Sequence, residues 1–519
     1  MSNDVPRVAR DFHDSTAHTP ASVRTSGHTL EWDIKPFPFK VYADVPSIPL
    51  PRDIDVPSAP AMAALAAGGR PAAGRLTLAT LTAVLYYSAG VTKKKTYAGG
   101  VEVLFRAAAS TGALYQTEVY VVAGDVDGLE PGLYHFSPGD FVLRRLRAGD
   151  LRAWLAEAVA DESLARRGAT LALSAIYWRN TWKYQARGFR HLFWDSGTML
   201  ANVLATAGAL GLAPRLLTGF VDAEVNRLLG LDARREGALE LVALGPEGPP
   251  APAVTERSAI EHAMLPLSSD EVDYPTLREM YEASALADAD AVRRWRRAPP
   301  PPARKPASTV TPLPTPDTTG GRSLGETIQR RGSTRRFGHT PLTGEELATA
   351  LWSASRPVDA DVPGGLVDIY LVVNAVEGVA PGAYAYRPET GGGGLERLKA
   401  GDLRRESAHL CLDQPLGGDA AAVIYFLSPL DAVIASFGNR GYRLANLEAG
   451  VAGGRAYLAA YSHGFGASGL TFYDRLVVDF FSPHAAGKDA IFVVALGRAA
   501  SAAGDMLVST AVASPRRRT

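Results

Sequence analysis

The hydrophobic and polar positions of this chain form patterns that recur about 250 residues apart. Short β-branched runs bounded by turn residues predict strands at 119–122 (VYVV) and 369–373 (IYLVV). Residues 192–210 and 444–461 carry small and apolar side chains on every side, which predicts buried central helices. We therefore expect an α+β fold in each half, like two subunits of a dimer written as one chain.

Longer motifs repeat in the same order. PGLYHF at 131–136 and LRAGDLR at 146–152 correspond to PGAYAY at 381–386 and LKAGDLR at 398–404. Likewise, GFR at 188–190 and DSG at 195–197 correspond to GYR at 441–443 and EAG at 448–450. So many ordered matches at a nearly constant offset predict two copies of one domain.

A proline-rich stretch separates the two copies. It contains PPPP at 299–302 and TPLPTP at 311–316, a composition that prefers extended chain. The charged residues 271–297 before it are expected to be helical and to strap one half to the other. The expected division is a domain at 1–260, a helical and proline-rich linker at 261–320, a domain at 321–505 and a flexible basic tail at 506–519.

Composition narrows the functional classes. Lys+Arg and Asp+Glu balance at 54 each, so no global field favours nucleic acid or an anionic membrane. Cys411 is the only cysteine, which excludes an intrachain disulfide, and the histidines show no metal-ligand spacing, so no metal is expected. No apolar run of about 18 residues and no secretory signal is visible, so a cytoplasmic location is expected.

The second half carries a cluster of arginines and hydroxyls, RRGSTRRF at 330–337. Arginine binds phosphate through a planar fork of donors, so the cluster predicts a site for a phosphate monoester. A solvated basic helix end is the alternative interpretation. Directly afterwards, Thr343 and Glu346 form a capping-box pattern that predicts the start of a helix.

The first half lacks this cluster and has a different feature. The positions that correspond to the arginine string hold Ala64, Leu65, Ala67 and Gly69. In its place the first half has FRAAASTGALY at 105–115, a small, hydroxyl-rich turn that lets backbone approach a ligand closely. Each half therefore lacks what the other keeps.

On these motifs both halves resemble the FMN-dependent nitroreductase superfamily, and in particular its SagB/ThcOx-type dehydrogenases, the azoline oxidases of modified-peptide biosynthesis. Residues 330–337 match that branch's Arg-Arg-Ser-x-Arg-x-Phe string with Gly332 inserted. Residues 109–115 match its Pro-Ser-x-Gly-Ala-x-Tyr string with Ala109 in place of proline. The resemblance implies two nitroreductase-like domains in tandem, each with an antiparallel or mixed sheet flanked by helices, which form a pseudo-dimer.

The resemblance also implies FMN at the interface between the halves, and the complementary losses then predict one composite site there. The implied phosphate-binding residues are Arg330, Arg331, Ser333 and Arg335. The turn residues implied to approach the same flavin from the other half are Ser110, Thr111 and Gly112. Gly464 and Gly466 are implied to lie beside the isoalloxazine ring.

Lys183 and Tyr184, within WRNTWKYQARGFR at 178–190, are the catalytic candidates. A lysine desolvated among aromatic side chains has a lowered pKa and can act as a base. A tyrosine beside it can relay the proton or stabilise the charge that develops. In the azoline oxidases a Lys-Tyr pair at this place is implicated in proton removal. Alternatively, these aromatic side chains simply pack a helix. The sequence leaves open whether Lys183 belongs to the composite site.

The implied function is an FMN-dependent dehydrogenase or oxidase of a C–H next to nitrogen, in a thiazoline or oxazoline of a modified peptide, with oxygen reoxidising the flavin. The implied partners are a small-molecule or peptide substrate and a peptide-modifying cyclase, and the pseudo-dimer could dimerise further. The alternatives are an oxidase of a cyclic dipeptide or carrier-bound intermediate, an NAD(P)H-dependent nitroreductase, and a non-catalytic peptide-binding scaffold. Lys93-Lys94-Lys95 is interpreted as a solvated loop, with a peptide-gripping role as the alternative.

Overall fold

The computed structural model describes residues 3, 7–54, 56–66, 73–96, 100, 102–302, 309–389 and 393–500. The basic tail predicted at 506–519 lies outside these residues. The first half contains a seven-stranded sheet and a separate hairpin, β2–β3. The strands of this half are β1 (Ser47–Pro49), β2 (Val91–Thr96), β3 (Glu102–Arg106), β4 (Thr117–Ala123), β5 (Gly132–Ser137), β6 (Val142–Ala148), β7 (Arg167–Ile176), β8 (Arg215–Leu217) and β9 (Glu236–Glu247).

The second half contains another seven-stranded sheet. Its strands are β10 (Thr311–Pro312), β11 (Asp368–Val373), β12 (Gly382–Arg387), β13 (Gly394–Ala400), β14 (Ala422–Ser428), β15 (Gly466–Gly469) and β16 (Asp489–Gly497). The spatial orders are β1-β6-β5-β4-β7-β9-β8 and β10-β13-β12-β11-β14-β16-β15, with antiparallel neighbours throughout. The two orders match strand for strand, which confirms the repeat and the strands predicted within β4 and β11.

The helices flank these sheets. They are α1 (Arg7–Ser15), α2 (Pro20–Thr25), α3 (Ala61–Ala66), α4 (Leu78–Ala89), α5 (Arg152–Val159), α6 (Tyr177–Tyr184), α7 (Gly188–Ala209), α8 (Asp222–Leu229), α9 (Pro275–Ala283), α10 (Ala289–Arg296), α11 (Leu324–Arg330), α12 (Gly344–Ala354), α13 (Arg404–Leu410), α14 (Pro415–Asp419), α15 (Leu430–Phe437), α16 (Arg440–Ser462) and α17 (Asp474–Phe481). The capping box of Thr343 and Glu346 starts α12 as predicted. No helix within the described ranges is long and apolar enough to cross a membrane.

The buried central helices predicted from the sequence are α7 and α16, and they pack against each other. A Cβ atom on Gly197 would lie 2.7 Å from the backbone of Gly450, and one on Gly450 would lie 2.7 Å from the carbonyl oxygen of Trp194. Real Cβ atoms do not approach backbone so closely, so both glycines are needed at this crossing. The repeated DSG and EAG motifs therefore mark the contact between the two copies.

Two buried ion clusters, one the counterpart of the other, tie the start of each central helix to the opposite half. Their members are Arg187, Arg190 and Asp474 in one cluster, and Arg440, Arg443 and Asp222 in the other. Asp474 lies 2.5 Å from Arg190, and Asp222 lies 2.7 Å from Arg440. Burial alone would raise the pKa of Asp474, but its two guanidinium neighbours outweigh burial and hold that pKa well below its usual value. The repeated GFR and GYR motifs thus form the ionic part of the interface.

Residues 271–297 contain two helices, α9 and α10, which contact both halves. The Tyr281 hydroxyl donates to the carbonyl oxygen of Ala238 in the first half, and Arg443 of the second half donates to the carbonyl oxygen of Tyr281. The indole N–H of Trp295 donates to the carbonyl oxygen of Phe437. These contacts confirm the strap. The exact domain boundaries stay a prediction, and α1, at the start of the first predicted domain, packs on the second half through Arg10 and Asp489.

Candidate active site between the two halves

A cavity of about 740 Å³ lies between the halves. The first half contributes hairpin β2–β3 and the turn at 109–115, and the second half contributes the arginine string and the segment around β15. Of the predicted site residues, those that line the cavity are Ser110, Arg330, Arg331, Ser333, Arg335, Gly464 and Gly466. Thr111 and Gly112 belong to the same turn but are not part of the lining. We call this space the composite cavity.

Positive charge dominates the lining of the composite cavity. The cationic side chains there are Lys93, Lys95, Arg322, Arg330, Arg331, Arg335 and Arg336. Among the described residues, no carboxylate lines it. Such a surface attracts an anion, and the guanidinium groups supply the forked donors that phosphate prefers. The sequence did not identify Lys95, Arg322 and Arg336 as wall residues, although Lys95 and Arg336 lie in runs of basic residues.

The arginine string follows α11 and is fixed against the end of α16 and β15. The Thr334 N–H donates to the carbonyl oxygen of Ala467, and the Ser333 hydroxyl lies 3.3 Å from that of Tyr457. A Cβ atom on Gly466 would lie 2.0 Å from the Thr334 hydroxyl oxygen, so only glycine fits beside the string. Gly464 has a φ of 83°, a conformation that favours glycine.

Arg331 lines the composite cavity, but its side-chain hydrogen bonds go to backbone. Its Nε donates to the carbonyl oxygen of Ala107 at 2.6 Å, and its Nη2 donates to those of Arg106 and Ala108. These carbonyls belong to the other half, at the end of β3. Arg331 therefore clamps the two halves together at the cavity wall, a role that the sequence does not reveal.

The interpretation of Lys93-Lys94-Lys95 as a solvated loop is wrong. These residues form part of β2, which pairs with β3. Lys93 is buried and donates to the carbonyl oxygens of Arg330 and Arg331, while Lys95 lines the composite cavity. A cation at the C-terminal end of a helix such as α11 satisfies carbonyls that have no partner inside the helix. The hairpin thus covers the arginine string of the opposite half.

Asp195 on α7 holds the turn at 109–115. Its carboxylate accepts the Ser110 hydroxyl, the N–H and hydroxyl of Thr111, and the Gln116 amide, each at 2.7 Å. Burial raises the pKa of Asp195, and the hydrogen bonds from Ser110, Thr111 and Gln116 oppose that rise. The hydroxyls of Ser110 and Thr111 are therefore oriented by α7. In the sequence, Asp195 stands out only as part of the repeated DSG motif, because its role depends on this tertiary contact.

The same turn has unusual backbone angles. Gly112, Ala113 and Tyr115 have φ values of 64°, 53° and 51°. Non-glycine residues in this region carry strain that the surrounding structure must hold, and such residues cluster at functional sites. A Cβ atom on Gly112 would lie 2.9 Å from the hydroxyl oxygen of Tyr184, so glycine allows Tyr184 to pack against the turn.

Lys183 and Tyr184 occupy the last turn of α6. Neither lines the composite cavity, but the Tyr184 hydroxyl packs against Gly112 of the turn at 109–115. Burial and the positive charges of Arg335 and Lys35 lower the pKa of Lys183. Burial and the charge of Asp195 raise the pKa of Tyr184, with Arg335 opposing them. Arg335, which lines the composite cavity, thus contributes to the electrostatic environment of both side chains.

A buried network anchors α6 to the same turn. Arg179 on α6 donates to the carbonyl oxygen of Tyr115 at 3.1 Å and forms an ion pair with Glu118 on β4. Glu118 also lies 2.7 Å from the Nε2 atom of His135. Since Tyr115 lines the composite cavity, this network fixes α6, and with it Lys183, relative to the cavity wall.

The place that corresponds to the arginine string in the first half carries no phosphate-binding groups among the described residues. Ala64 and Leu65 are buried within α3, and Ala67 and Gly69 lie outside the described residues. The counterpart of the composite cavity is therefore built differently.

Comparison with known proteins adds a separate line of evidence. A model described as the nitroreductase family matches residues 75–245 and 328–498, more than half of the chain. A Methanocaldococcus jannaschii protein named as a nitroreductase is 32% identical over 155 residues, which are 30% of this chain and 74% of that protein. The microcin B17-processing protein McbC of Escherichia coli is 26% identical over 131 residues, 24% of this chain and 48% of McbC.

A crystal structure from Anabaena variabilis, of a protein described as a nitroreductase, superposes with a TM-score of 0.75 at 27% identity. The match covers 95% of this chain and 99% of that one. The whole two-part architecture, and not only one copy of the domain, is therefore shared with a solved structure.

Proposed function

The chain belongs to the nitroreductase family as two tandem copies of its domain, which makes it an oxidoreductase, and on that premise we propose that it is an FMN-dependent dehydrogenase with a single flavin site. The observation that carries the proposal is the composite cavity, which is lined by cations from both halves and, among the described residues, by no carboxylate. A flavin mononucleotide joins a phosphate monoester to a flat ring system, and the cavity offers a matching basic end and glycine-rich wall.

The chemistry of the lining residues fits FMN. We assign the phosphate to Arg330, Ser333 and Arg335, whose side chains provide charged and hydroxyl donors. Arg331 adds positive charge while its hydrogen bonds hold the β3 end in place. The proposed wall beside the ring comprises Ser110, Gly464 and Gly466, with Thr111 and Gly112 shaping the turn behind Ser110. Bound FMN would supply the two-electron acceptor, a chemistry that no side chain provides.

Lys183 is the proposed base. Its Nζ atom would take the proton that leaves when a C–H next to nitrogen is oxidised. The lowered pKa of Lys183 increases the neutral fraction that can accept a proton. The raised pKa of Tyr184 keeps its hydroxyl protonated, so that it can donate a hydrogen bond beside Lys183.

We propose a thiazoline or oxazoline of a modified peptide as the substrate, and a peptide-modifying cyclase as a partner. The match to McbC, a microcin-processing protein, supports this choice, although this chain spans about half of McbC. Oxidation to the aromatic azole removes two hydrogens from the ring, and O₂ accepts them as hydrogen peroxide. This stoichiometry needs no nicotinamide.

The test begins with the visible absorption spectrum of the purified chain and the amount of FMN that it releases. We expect about one FMN per chain. The Ser333→Ala/Arg335→Gln double variant should lose the flavin, while Arg475→Gln, at an exposed arginine of α17, should keep it. No bound flavin after soaking in excess FMN would refute the cofactor, and two FMN per chain would refute the single site.

The substrate is tested separately with the flavin-loaded protein. Consumption of O₂ should depend on an azoline-containing peptide and proceed without NADPH. Rapid NADPH oxidation with a nitroaromatic acceptor, together with no azoline turnover, would instead identify a nitroreductase.

A further inference from the structure

A second cavity, of about 460 Å³, lies where the pseudo-symmetry of the fold places the counterpart of the composite cavity. Leu216 of β8 lines it, and β8 is the counterpart of β15, which lines the composite cavity. Residues of α16 line it as well, along with the 354–369 segment that corresponds to the segment around hairpin β2–β3. We call this space the counterpart cavity.

The counterpart cavity has a different chemistry. Its wall is mainly aliphatic, with Val362, Leu366, Ile369, Leu447 and Val451 among its members. Within the described part of the chain, it has nothing like the arginine string. An apolar wall with a few polar groups is the usual composition of a small-molecule site.

Two arginines interrupt this apolar wall. Arg455 is 5% exposed, and its Nη atoms donate to the carbonyl oxygens of Arg356 and Pro357. The Nε atoms of Arg455 and Arg356 are both buried and have no hydrogen-bond partner. Burial and the nearby charge of Arg356 lower the pKa of Arg455 to about 10. Both arginines line the cavity, so their positive charge favours an anionic ligand group at this part of the wall.

The carboxylate at this cavity is already engaged. Glu448 accepts hydrogen bonds from the backbone N–H groups of Gly365, Leu366 and Val367, at 2.9 to 3.1 Å. It is the counterpart of Asp195, which holds the corresponding turn in the first half. Because the carboxylate of Glu448 is hydrogen-bonded to this turn, Arg356 and Arg455 give the cavity wall an excess of positive charge.

The cover of the counterpart cavity is fixed. Asp361 accepts from the N–H groups of Thr218 and Gly219 and from Nε of Arg296, at 2.8 to 3.0 Å. The adjoining backbone pairs with β8. The N–H of Leu216 donates to the carbonyl oxygen of Asp359, and the N–H of Asp361 donates to the carbonyl oxygen of Leu216. The cavity is therefore formed before any ligand arrives, which lowers the entropic cost of binding.

We propose that the counterpart cavity is a second ligand site that takes a small molecule with an apolar, aryl-sized body and one carboxylate. The apolar wall accommodates the body, and the carboxylate lies beside the positive charges of Arg455 and Arg356. The duplication thus leaves two sites of different specificity, a basic one and an apolar one with a localised positive charge. This inference does not depend on the identity of the ligand in the composite cavity.

The test uses 2-naphthoate and its neutral analogue 2-naphthalenemethanol, with binding measured by isothermal titration calorimetry on the full chain. We expect the wild type to bind naphthoate at least tenfold more tightly than the alcohol. Arg455→Met should abolish that preference, whereas Arg475→Met, at an exposed arginine, should keep it. Ala452→Trp, which fills the cavity, should prevent binding of both probes.

Circular dichroism establishes whether each variant is folded. If Arg455→Met does not fold, the proposal is tested by the wild-type preference for naphthoate over the alcohol and by the loss of binding in Ala452→Trp. No naphthoate binding at millimolar concentration, equal affinity for the two probes, or binding that survives Ala452→Trp would each overturn the proposal. A flavin count of two per chain that Ala452→Trp reduces to one would overturn it as well, because the cavity would then be a flavin site.

Discussion

Lys93 and Lys183 show how the surroundings of a lysine change its chemical properties. Lys93 is buried against the end of α11, where its Nζ donates to backbone carbonyls. Lys183 is half-buried near other cations, and that environment lowers its pKa. A lysine surrounded by acceptors stabilises structure, whereas a lysine beside positive charges is suited to accept a proton.

Lys183→Ala should leave the FMN content unchanged and slow turnover by about 100-fold or more, the usual contribution of a positioned base. In the wild type, kcat should rise with pH through the lowered pKa of Lys183, because only the neutral amine accepts a proton. Lys35→Gln removes one of the charges that lower this pKa, so it should move the rising limb to higher pH.

The control for these variants is Lys94→Gln, which removes a lysine that pairs with Glu102 on hairpin β2–β3. It should leave the pH–rate profile where it is. Full activity in Lys183→Ala, or a profile that Lys35→Gln does not move, would count against Lys183 as the base.

Glu240 on β9 supplies a stability prediction at the residue scale. It is fully buried against Ser196, and burial raises its pKa from 4.5 to about 8. The folded state then holds a proton that the unfolded state releases, so the free energy of unfolding should fall as pH rises from about 4.5 to about 8. The contribution of this group is at most about 1.4 kcal/mol per pH unit.

Glu240→Gln should remove that part of the pH dependence, since the amide stays neutral and can still accept from Ser196. Urea denaturation at pH 5 and pH 8 measures the effect, with the exposed Glu247→Gln as control. If the wild type and Glu240→Gln lose the same free energy of unfolding between pH 5 and pH 8, Glu240 does not titrate in this range.

At the scale of elements, the central helices explain why the GFR and GYR motifs repeat. Each motif places one arginine at the start of its central helix, where that arginine pairs with an aspartate of the opposite half. The same contact is therefore made twice, in opposite directions, as in a symmetric dimer. The glycines at the crossing of α7 and α16 complete the interface by allowing the backbones to touch.

Asp474→Asn should lower the free energy of unfolding by about 3–5 kcal/mol, because it leaves two buried guanidiniums with a weakened partner. Asp222→Asn should act similarly at the counterpart cluster. Asp479→Asn, in an exposed pair with Arg475, should cost under about 1 kcal/mol. Urea denaturation compares the three, and a loss at Asp474 no larger than that at Asp479 would show that the cluster is not a stability determinant.

At the scale of the whole molecule, duplication has allowed the two interfacial cavities to diverge. The composite cavity combines the arginine string of one half with the turn and hairpin of the other. Among the residues that the structure describes, the counterpart cavity has neither and is mainly apolar. A homodimer of identical subunits would have to keep both cavities alike, whereas a fused pair is free to change them separately.

The proline-rich part of the linker should be dispensable once the halves have folded, because the central helices, ion clusters and strap hold them together. A chain with a protease site inserted after Pro302 should, after cleavage, elute as one species in gel filtration and keep its flavin. The same cut in a Gly197→Leu variant should release separate pieces, since the leucine would clash at the helix crossing. Separation of the cut wild-type halves would show that the linker maintains their association.

Several features followed from the sequence alone. The strands at 119–122 and 369–373, the central helices, the capping box of α12 and the helical strap were predicted from periodicity and local residue types, and the structure confirms them. The tandem repeat and the family also followed, since matching motifs at a fixed offset need no knowledge of contacts.

Only the tertiary structure decided how side chains are used. Arg331 and Lys93 donate to carbonyls more than 200 positions away, and Asp195 holds Thr111 from 84 positions away. The charges that lower the pKa of Lys183 and the apolar character of the counterpart cavity depend equally on distant segments. Local patterns report backbone preference and burial, whereas hydrogen-bond partners and charge environments arise only when remote parts of the chain meet.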